Sequence, residues 1–468
     1  MTEPETISAP GTLRDRVNKF LSTPVYIAAV MLLTAISGCL GLELFLYTLF
    51  GLLAVYVGLF GTDLLPLMPV LICAFIAPSP QNNPGRHPDA VFAPGHGGIY
   101  LICIAGVAAV ALVYRVIRDR KTFLGRKYKL LPGMLLLTAA YLLSGLGSGH
   151  YREVVGKNLI FALVQSAAIL VPYLLFAGGV QWKDVRKDYF PWVGFCAGGV
   201  LLVQLLYVYL TGNVVQNDVI ERTQIYTGWG MYNNIGGMLA MMIPFAFYLA
   251  TKYSRGWIGT VVGSLFYIGI LLTCSRSSIL TGFACCMVCI VLMLYYANNR
   301  KANAVAMIGL ICVVSVTVLG FQKQILQLFG DLLKKGLDPS SRDIIYRNGL
   351  QLFRQAPLLG NSFYSPGYTP WQWSTVAEFT DFFPPRWHNT VVQLLTCCGV
   401  VGLLAYLIHR LQTLHMIFCN HSKEKAFLGC SIAALLVCSL FDCHFFNVGP
   451  TLFYAMALAF AENCHMGK

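Results

Sequence analysis

Apolar runs of about 17–25 residues recur along most of this chain, and that spacing leaves it almost one fold to adopt. A backbone buried in hydrocarbon must satisfy its own hydrogen bonds, so each run is expected to be a membrane-spanning helix. Two or three runs fill 24–77, with breaks at Gly41 and at Gly61-Thr62-Asp63. Further runs occupy 98–116, 130–146, 158–178, 190–210, 231–250, 257–274, 279–297, 304–321, 390–408, 426–440 and 449–460. The fold class expected is an all-α polytopic membrane protein of about 12–14 transmembrane helices. Composition agrees: 57% of residues are hydrophobic and 11% charged, where a soluble domain carries about 25% charged residues.

The net charge of +13 is read loop by loop, because cytoplasmic loops collect Lys and Arg. It is not a nucleic-acid signature here. With the N-terminus inside, the basic stretches 115–129, 183–187, 252–255 and 300–301 fall on the inner side. Arg410, Lys423 and Lys425 are placed there with them. Fourteen spans make the alternation work, with both termini cytoplasmic. The stretch 1–19 carries Arg14, Arg16 and Lys19 and then enters apolar sequence without a small-residue cleavage site, so no cleavable signal peptide is expected. Nearly all of the 16 cysteines lie in apolar runs and are expected to act as small buried hydrophobes. Cys285-Cys286-x-x-Cys289 sits mid-span without His or acidic neighbours, so no metal site is assigned.

The polar stretches are 78–97, rich in Pro, Gly and Asn, and one long loop at 322–387. That loop closes on Pro384-Pro385-Arg386-Trp387-His388-Asn389-Thr390 and enters the next span directly. A histidine where a wet loop meets a span is placed for proton transfer, or else merely anchors the helix. Outer loops should be poor in cations, so Arg222, Arg276 and Arg342 need a reason: Arg222 and Arg342 are equally placed as solvated charges or lipid-headgroup anchors, whereas Arg276 points to an anion such as phosphate. Arg276 is the sharpest of these, set among Thr273, Ser275, Ser277 and Ser278 at a helix junction. Ser340 and Asp343 have capping-box spacing, so a helix is expected from there to about Arg354. Residues 364–383 are dense in aromatics: an interfacial belt or a platform for sugar rings.

These pieces together resemble the O-antigen ligase/polymerase superfamily of bacterial envelope glycosyltransferases. They run in order as Arg222, Gly228 and Asn233-Asn234; Thr273-x-Ser275-Arg276; Ser341-Arg342-x-x-x-Tyr346 before Ala356-Pro357-Leu358-Leu359-Gly360; and His388-Asn389 before Leu394-Leu395 and Gly399-Val400-Val401-Gly402-Leu403. Two departures stand out. Arg386-Trp387 precedes the histidine, and Asn233-Asn234 replaces the family's usual Asn-Pro-Asn. The resemblance implies a GT-C-like enzyme whose donor is a glycan on undecaprenyl diphosphate. Arg276 and Arg342 would bind the diphosphate and His388 would activate the acceptor hydroxyl, so these three are the catalytic candidates. Arg222, Asn234, Arg347, Arg386 and Asn389 are the substrate-binding candidates, although Asn389 also has the place of a helix cap.

No metal and no cofactor are expected, since fixed guanidiniums can carry the charge of a leaving diphosphate. The acceptor would be a second lipid-linked glycan for a polymerase, or a lipid, wall polymer or protein for a ligase. A flippase and a chain-length regulator are candidate partners. The location implied is a bacterial cytoplasmic membrane with the site on the outer face. By this reading 1–221 are N-terminal spans, 222–409 the catalytic region with its outer loop 322–387, and 410–468 the C-terminal spans. A lipid-linked oligosaccharide flippase is the alternative from another class, but it would line its spans with charge between repeated halves. A polymerase of the shape, elongation and division family would rely on an outer aspartate such as Asp381. Asp442 and His444 are second-rank candidates at the outer end of the last helix pair.

Overall fold

The computed structural model describes residues 12–77, 98–149, 151–212, 214–228, 230–320, 322–330, 342–363, 387–419 and 421–466. The loop 78–97, Ser340, Ser341, the aromatic stretch 364–383, Asp381 and Arg386 lie outside these residues.

Helices dominate the described residues: α1 (Leu13–Leu21), α2 (Pro24–Leu40), α3 (Glu43–Phe60), α4 (Leu67–Ile76), α5 (Gly98–Arg118), α6 (Arg120–Gly125), α7 (Leu131–Leu142), α8 (Tyr151–Gly179) and α9 (Tyr189–Thr211). Two small hairpins follow, β1 (Val215–Gln216) with β2 (Val219–Ile220) and β3 (Tyr226–Thr227) with β4 (Gly230–Met231). Then come α10 (Tyr232–Lys252), α11 (Trp257–Leu272), α12 (Arg276–Tyr296), α13 (Arg300–Gly320), α14 (Gln322–Leu328), α15 (Arg342–Gln355), α16 (Thr390–Phe418), α17 (Lys423–Phe441) and α18 (Val448–Asn463). Among the described residues nine helices are long and apolar enough to cross a membrane, and α1 with α2 forms a further pair bent by 72°. Three more, α4, α7 and α11, are apolar but shorter. The chain is a multi-pass, all-α membrane protein.

Local sequence sets the ends of these helices. Thr23 caps α2 with Pro24 in its first turn, and Gly41 closes it at φ 71°. Ser422 caps α17. Asn389 caps α16, its Oδ1 accepting from the amides of Val391 and Val392. α15 opens on Arg342 with Asp343 in its first turn and ends at Gln355, within a residue of the expected end.

α10 lies at the centre. Residues 235–251 are buried throughout, and α9, α11, α12 and α17 pack around it. The last helix, α18, is buried along its length against α8. Cations gather at one end of the bundle. There Asp188 binds Arg186 in a two-pronged pair and lies 3.5 Å from Lys252, while Lys425 donates to the carbonyls of Met416 and Cys419.

α16 differs from the single span expected over 390–408. It reaches Phe418 and breaks at Gly399, whose φ is 64°. The segment 356–363 inserts into that break. Asn361 and Ser362 donate backbone N–H to the carbonyls of Thr396 and Cys397, and Val400 and Val401 donate to Pro357 and Leu358. Backbone groups freed by the kink are thus paired inside the protein, which a membrane interior demands. A Cβ on Gly399 would stand 2.2 Å from the Leu358 oxygen, and one on Gly360 2.3 Å from the Cys397 carbonyl. The Ala-Pro-Leu-Leu-Gly run of the family pattern is therefore a plug that splits α16.

Arg410 corrects the inner-loop count. It lies within α16, buried, with its guanidinium 4.5 Å from the Tyr406 ring centre, 4.1 Å from Phe445 and 4.7 Å from Tyr454. Ring faces hold this cation inside the bundle. Counting charges along a sequence cannot distinguish that from a loop arginine.

Candidate active site

Five helices begin at the end of the bundle away from the Asp188 cluster, and side chains tie their first turns together. Ser275, the residue before α12, donates its hydroxyl to Oδ1 of Asn233 in the first turn of α10, 2.9 Å away. Asn447, the residue before α18, donates to Oδ1 of Asn234 at 2.9 Å. Tyr346, on the first turns of α15, donates its phenol to the His388 carbonyl at 3.1 Å, and His388 leads into α16. The starts of α10, α12, α15, α16 and α18 thus share one region. Each directs the positive end of its dipole there, an environment that favours anions.

His388 stands at the middle of this region with φ 51°. A non-glycine residue held in the left-handed region costs about 1–3 kcal/mol, and such strain clusters at functional sites. The conformation aims the imidazole at the turn after α17, where His388 Nδ1 lies 3.3 Å from Asp442 Oδ1. Asp442 also accepts the Cys443 amide at 2.7 Å. Burial by itself would raise the Asp442 carboxyl, but the His388 contact, with His444 and the Cys443 amide, outweighs it and holds the group well below the ordinary carboxylate range. Asp442 is therefore ionised and can only accept. The proton of the hydrogen bond belongs to Nδ1, which leaves Nε2 with the lone pair that a general base uses. Asn389 donates to the Leu440 carbonyl at 2.8 Å, so its amide pins α16 to the end of α17 while capping α16.

His444 is buried two residues further on, in the short 3-10 turn 444–446. Its ring lies against α10, where a Cβ on Gly237 would stand 2.9 Å from Nε2. Burial pushes its basicity down, the Asp442 carboxylate works the other way, and His388 and Arg342 add to the depression. Arg342 therefore lies within electrostatic reach of the His388–Asp442 pair.

The other cations approach from the α10–α12 side. Arg222 stacks over Tyr232, 5.0 Å from the ring centre. Burial raises the nearby Cys274 thiol to about 11, while the Arg222 guanidinium pulls it down. Cys274 has φ 51° in the bend between α11 and α12, and Arg276 is the first residue of α12, half-buried. The structure thus brings Arg222, Asn234 and Arg276 to one flank and Arg342, His388 and Asn389 to the other. Arg347 stands apart. It is exposed and lies about 140° around α15 from Arg342 at about 100° per residue.

The residue pairing missed by sequence reasoning is His388 with Asp442. The available signal was a carboxylate at the end of an apolar helix, a position that is expensive to occupy without a partner. Tyr346 appeared only as part of a family pattern, and here it fixes the His388 backbone.

Residues 238–407 match the family model described as O-antigen ligase. Over that stretch the chain is similar to the O-antigen ligase/polymerase superfamily. The matched stretch contains Arg276, Arg342, Arg347, His388 and Asn389, whereas Arg222, Asn234, Asp442 and His444 fall outside it. No curated protein matches the chain. A membrane enzyme of O-antigen ligase or polymerase type accounts for a site with one histidine base candidate among cationic helix starts.

Proposed function

We propose that the chain is an inverting, metal-independent glycosyltransferase that polymerises oligosaccharide repeat units carried on undecaprenyl diphosphate. It works at the outer face of a bacterial cytoplasmic membrane, with both termini in the cytoplasm. The observation that carries this reading is the His388–Asp442 pair, at the same end of the bundle as Arg276 and Arg342.

His388 Nε2 takes the proton of the acceptor hydroxyl as its oxygen attacks the anomeric carbon. The bond from that carbon to the diphosphate breaks on the opposite face, which inverts the centre. The electron pair leaves with the lipid diphosphate, and Arg276, Arg342 and the surrounding helix N-termini take up the added charge. Asp442 holds the Nδ1–H tautomer and stabilises the imidazolium that forms. Arg222, Asn234, Arg347, Arg386 and Asn389 are proposed to contact the glycan or diphosphate. A flippase would deliver the donor, and a chain-length regulator would set product size.

The description of the matched family favours one second reading, a ligase that passes the glycan to a lipid, wall polymer or protein. Purified protein supplied only with the lipid-linked oligosaccharide separates the two. A ladder of longer lipid-linked chains, unaffected by EDTA, is the polymerase result. Transfer only after a separate acceptor is added is the ligase result. Donor left unconsumed in both arms contradicts the enzyme reading, and loss of the ladder in EDTA contradicts its metal independence.

A further inference from the structure

Gln393 is the fourth residue of α16 and is 0% exposed. A buried amide inside a span is costly unless its polar atoms are paired. Its Oε1 accepts the backbone N–H of Trp387 at 2.9 Å and the Cys443 thiol at 3.6 Å. Trp387 precedes His388, and Cys443 follows Asp442. Its Nε2 donates to the Cys397 sulfur at 3.4 Å, one turn further along α16. That pattern sets which way round the amide sits, because only the oxygen can accept the Trp387 N–H.

One side-chain oxygen therefore ties together the chain neighbours of both members of the His388–Asp442 pair. Trp387 is itself buried, and its N–H stands just before the left-handed turn at His388. Withdrawing a buried N–H from its acceptor is costly, so the Gln393 oxygen resists movement of that turn. The Cys443 N–H is held by Asp442 Oδ1 at 2.7 Å, so anchoring Cys443 also anchors the carboxylate. Thiols are weak donors, and the Trp387 bond carries most of the constraint. Asn389 links the same two turns on their exposed side, while Gln393 links them from inside the bundle.

We infer that Gln393 is a positioning residue for transfer: its side-chain oxygen holds His388 and Asp442 in register, so that Nδ1 keeps its proton and Nε2 stays free to take one from the acceptor. This rests on the reading of His388 as the base. Gln393 touches no substrate and acts only through that pair. Misplacing a reacting group by about 1 Å costs about 10²-fold in rate, which sets the scale of its effect.

The test uses full-length protein in nanodiscs. Gln393→Met keeps the bulk but replaces the oxygen, and Gln393→Asn withdraws the same amide by one methylene, so a folding failure of one leaves the other to decide. Gln393→Glu is the conservative variant: in the neutral form that burial favours, it presents a carbonyl to Trp387 and a hydroxyl to Cys397. In Gln393→Met and Gln393→Asn kcat is expected to fall about 10–10²-fold with the apparent donor KM unchanged. Gln393→Glu should recover much of the loss. Gln393→Met combined with Asp442→Asn should be no slower than Asp442→Asn alone, because both act through one contact. The ¹⁵N imidazole signals of His388, identified by their loss in His388→Ala, should show the Nδ1–H tautomer in wild type and a mixture in Gln393→Met. Wild-type kcat in the folded variants, a fully multiplicative loss in the double variant, or an unchanged tautomer each overturns the inference. The spectra need no turnover. A folded His388→Ala that still transfers glycan removes the base reading, while a tautomer mixture in Gln393→Met still upholds Gln393 as the residue that sets the pair.

Discussion

His388 Nδ1 and Asp442 Oδ1 are 3.3 Å apart although 54 residues separate them in sequence. The pair joins the left-handed turn that starts α16 to the turn that ends α17, and both turns are strapped down. Tyr346 holds the His388 carbonyl, and Asn389 reaches the Leu440 carbonyl. An imidazole fixed from one side by a carboxylate and from below by its own backbone has its remaining nitrogen directed without further help from substrate.

Asp442→Asn tests that division of labour. An amide can present its NH₂ to Nδ1 and favour the tautomer with the proton on Nε2, which cannot accept one. Transfer is expected to fall about 10²–10⁴-fold, the usual worth of a general base, with membrane insertion retained and the thermal midpoint at neutral pH lowered, where the ionised carboxylate contributes to stability. Wild-type turnover in this variant would reduce Asp442 to a structural anchor.

Arg276→Lys keeps the charge but loses the planar fork that meets two phosphate oxygens at once. A drop of about 10²–10³-fold in turnover is expected, comparable to removing one donor from an oxyanion site. The measurement is the initial rate at saturating donor beside the apparent donor KM. Full activity would take Arg276 out of the transition state.

His444 predicts a pH dependence of stability. Burial keeps its folded-state basicity below that of the unfolded chain, so the unfolded state takes up the proton first. Stability is then full above about pH 6.5, the ordinary histidine value, and is lost as pH falls below it. Asp442 is held low, so its contribution is present above the usual carboxylate value of about 3.9 and lost only below that. Thermal midpoints of wild type should decline between pH 7 and 5, and His444→Leu should flatten that decline. An identical slope in both proteins contradicts the assignment.

Much of the architecture was legible because hydropathy is a local signal. Helix ends also carried local chemistry, as at Asn389, Ser422 and Arg342. Three features were not legible. The His388–Asp442 contact joins distant residues, and nothing local marks either as the other's partner. Arg410 counted as a loop charge because the rings that cage it, Phe445 and Tyr454, lie more than thirty residues further on. The break in α16 was hidden because glycines are common in apolar spans. Only the insertion of 356–363 distinguishes Gly399 from Gly402.

That insertion carries its own prediction. Gly399→Ala places a Cβ against the Leu358 carbonyl in a backbone conformation that alanine resists. The variant should lose more than about 1 kcal/mol, seen as a lower thermal midpoint in detergent, whereas Gly309→Ala on α13, with open space around it, should be neutral. Equal midpoints for Gly399→Ala and wild type would mean that α16 does not break there.

The most direct test of the central claim compares wild type with His388→Ala, both purified into nanodiscs and supplied with an undecaprenyl-diphosphate oligosaccharide and an acceptor. The account predicts glycan transfer by wild type, and in the variant a rate lower by about 10²-fold or more with an unchanged melting profile. Near-normal product from a well-folded His388→Ala protein would contradict it, and the base would have to be sought elsewhere.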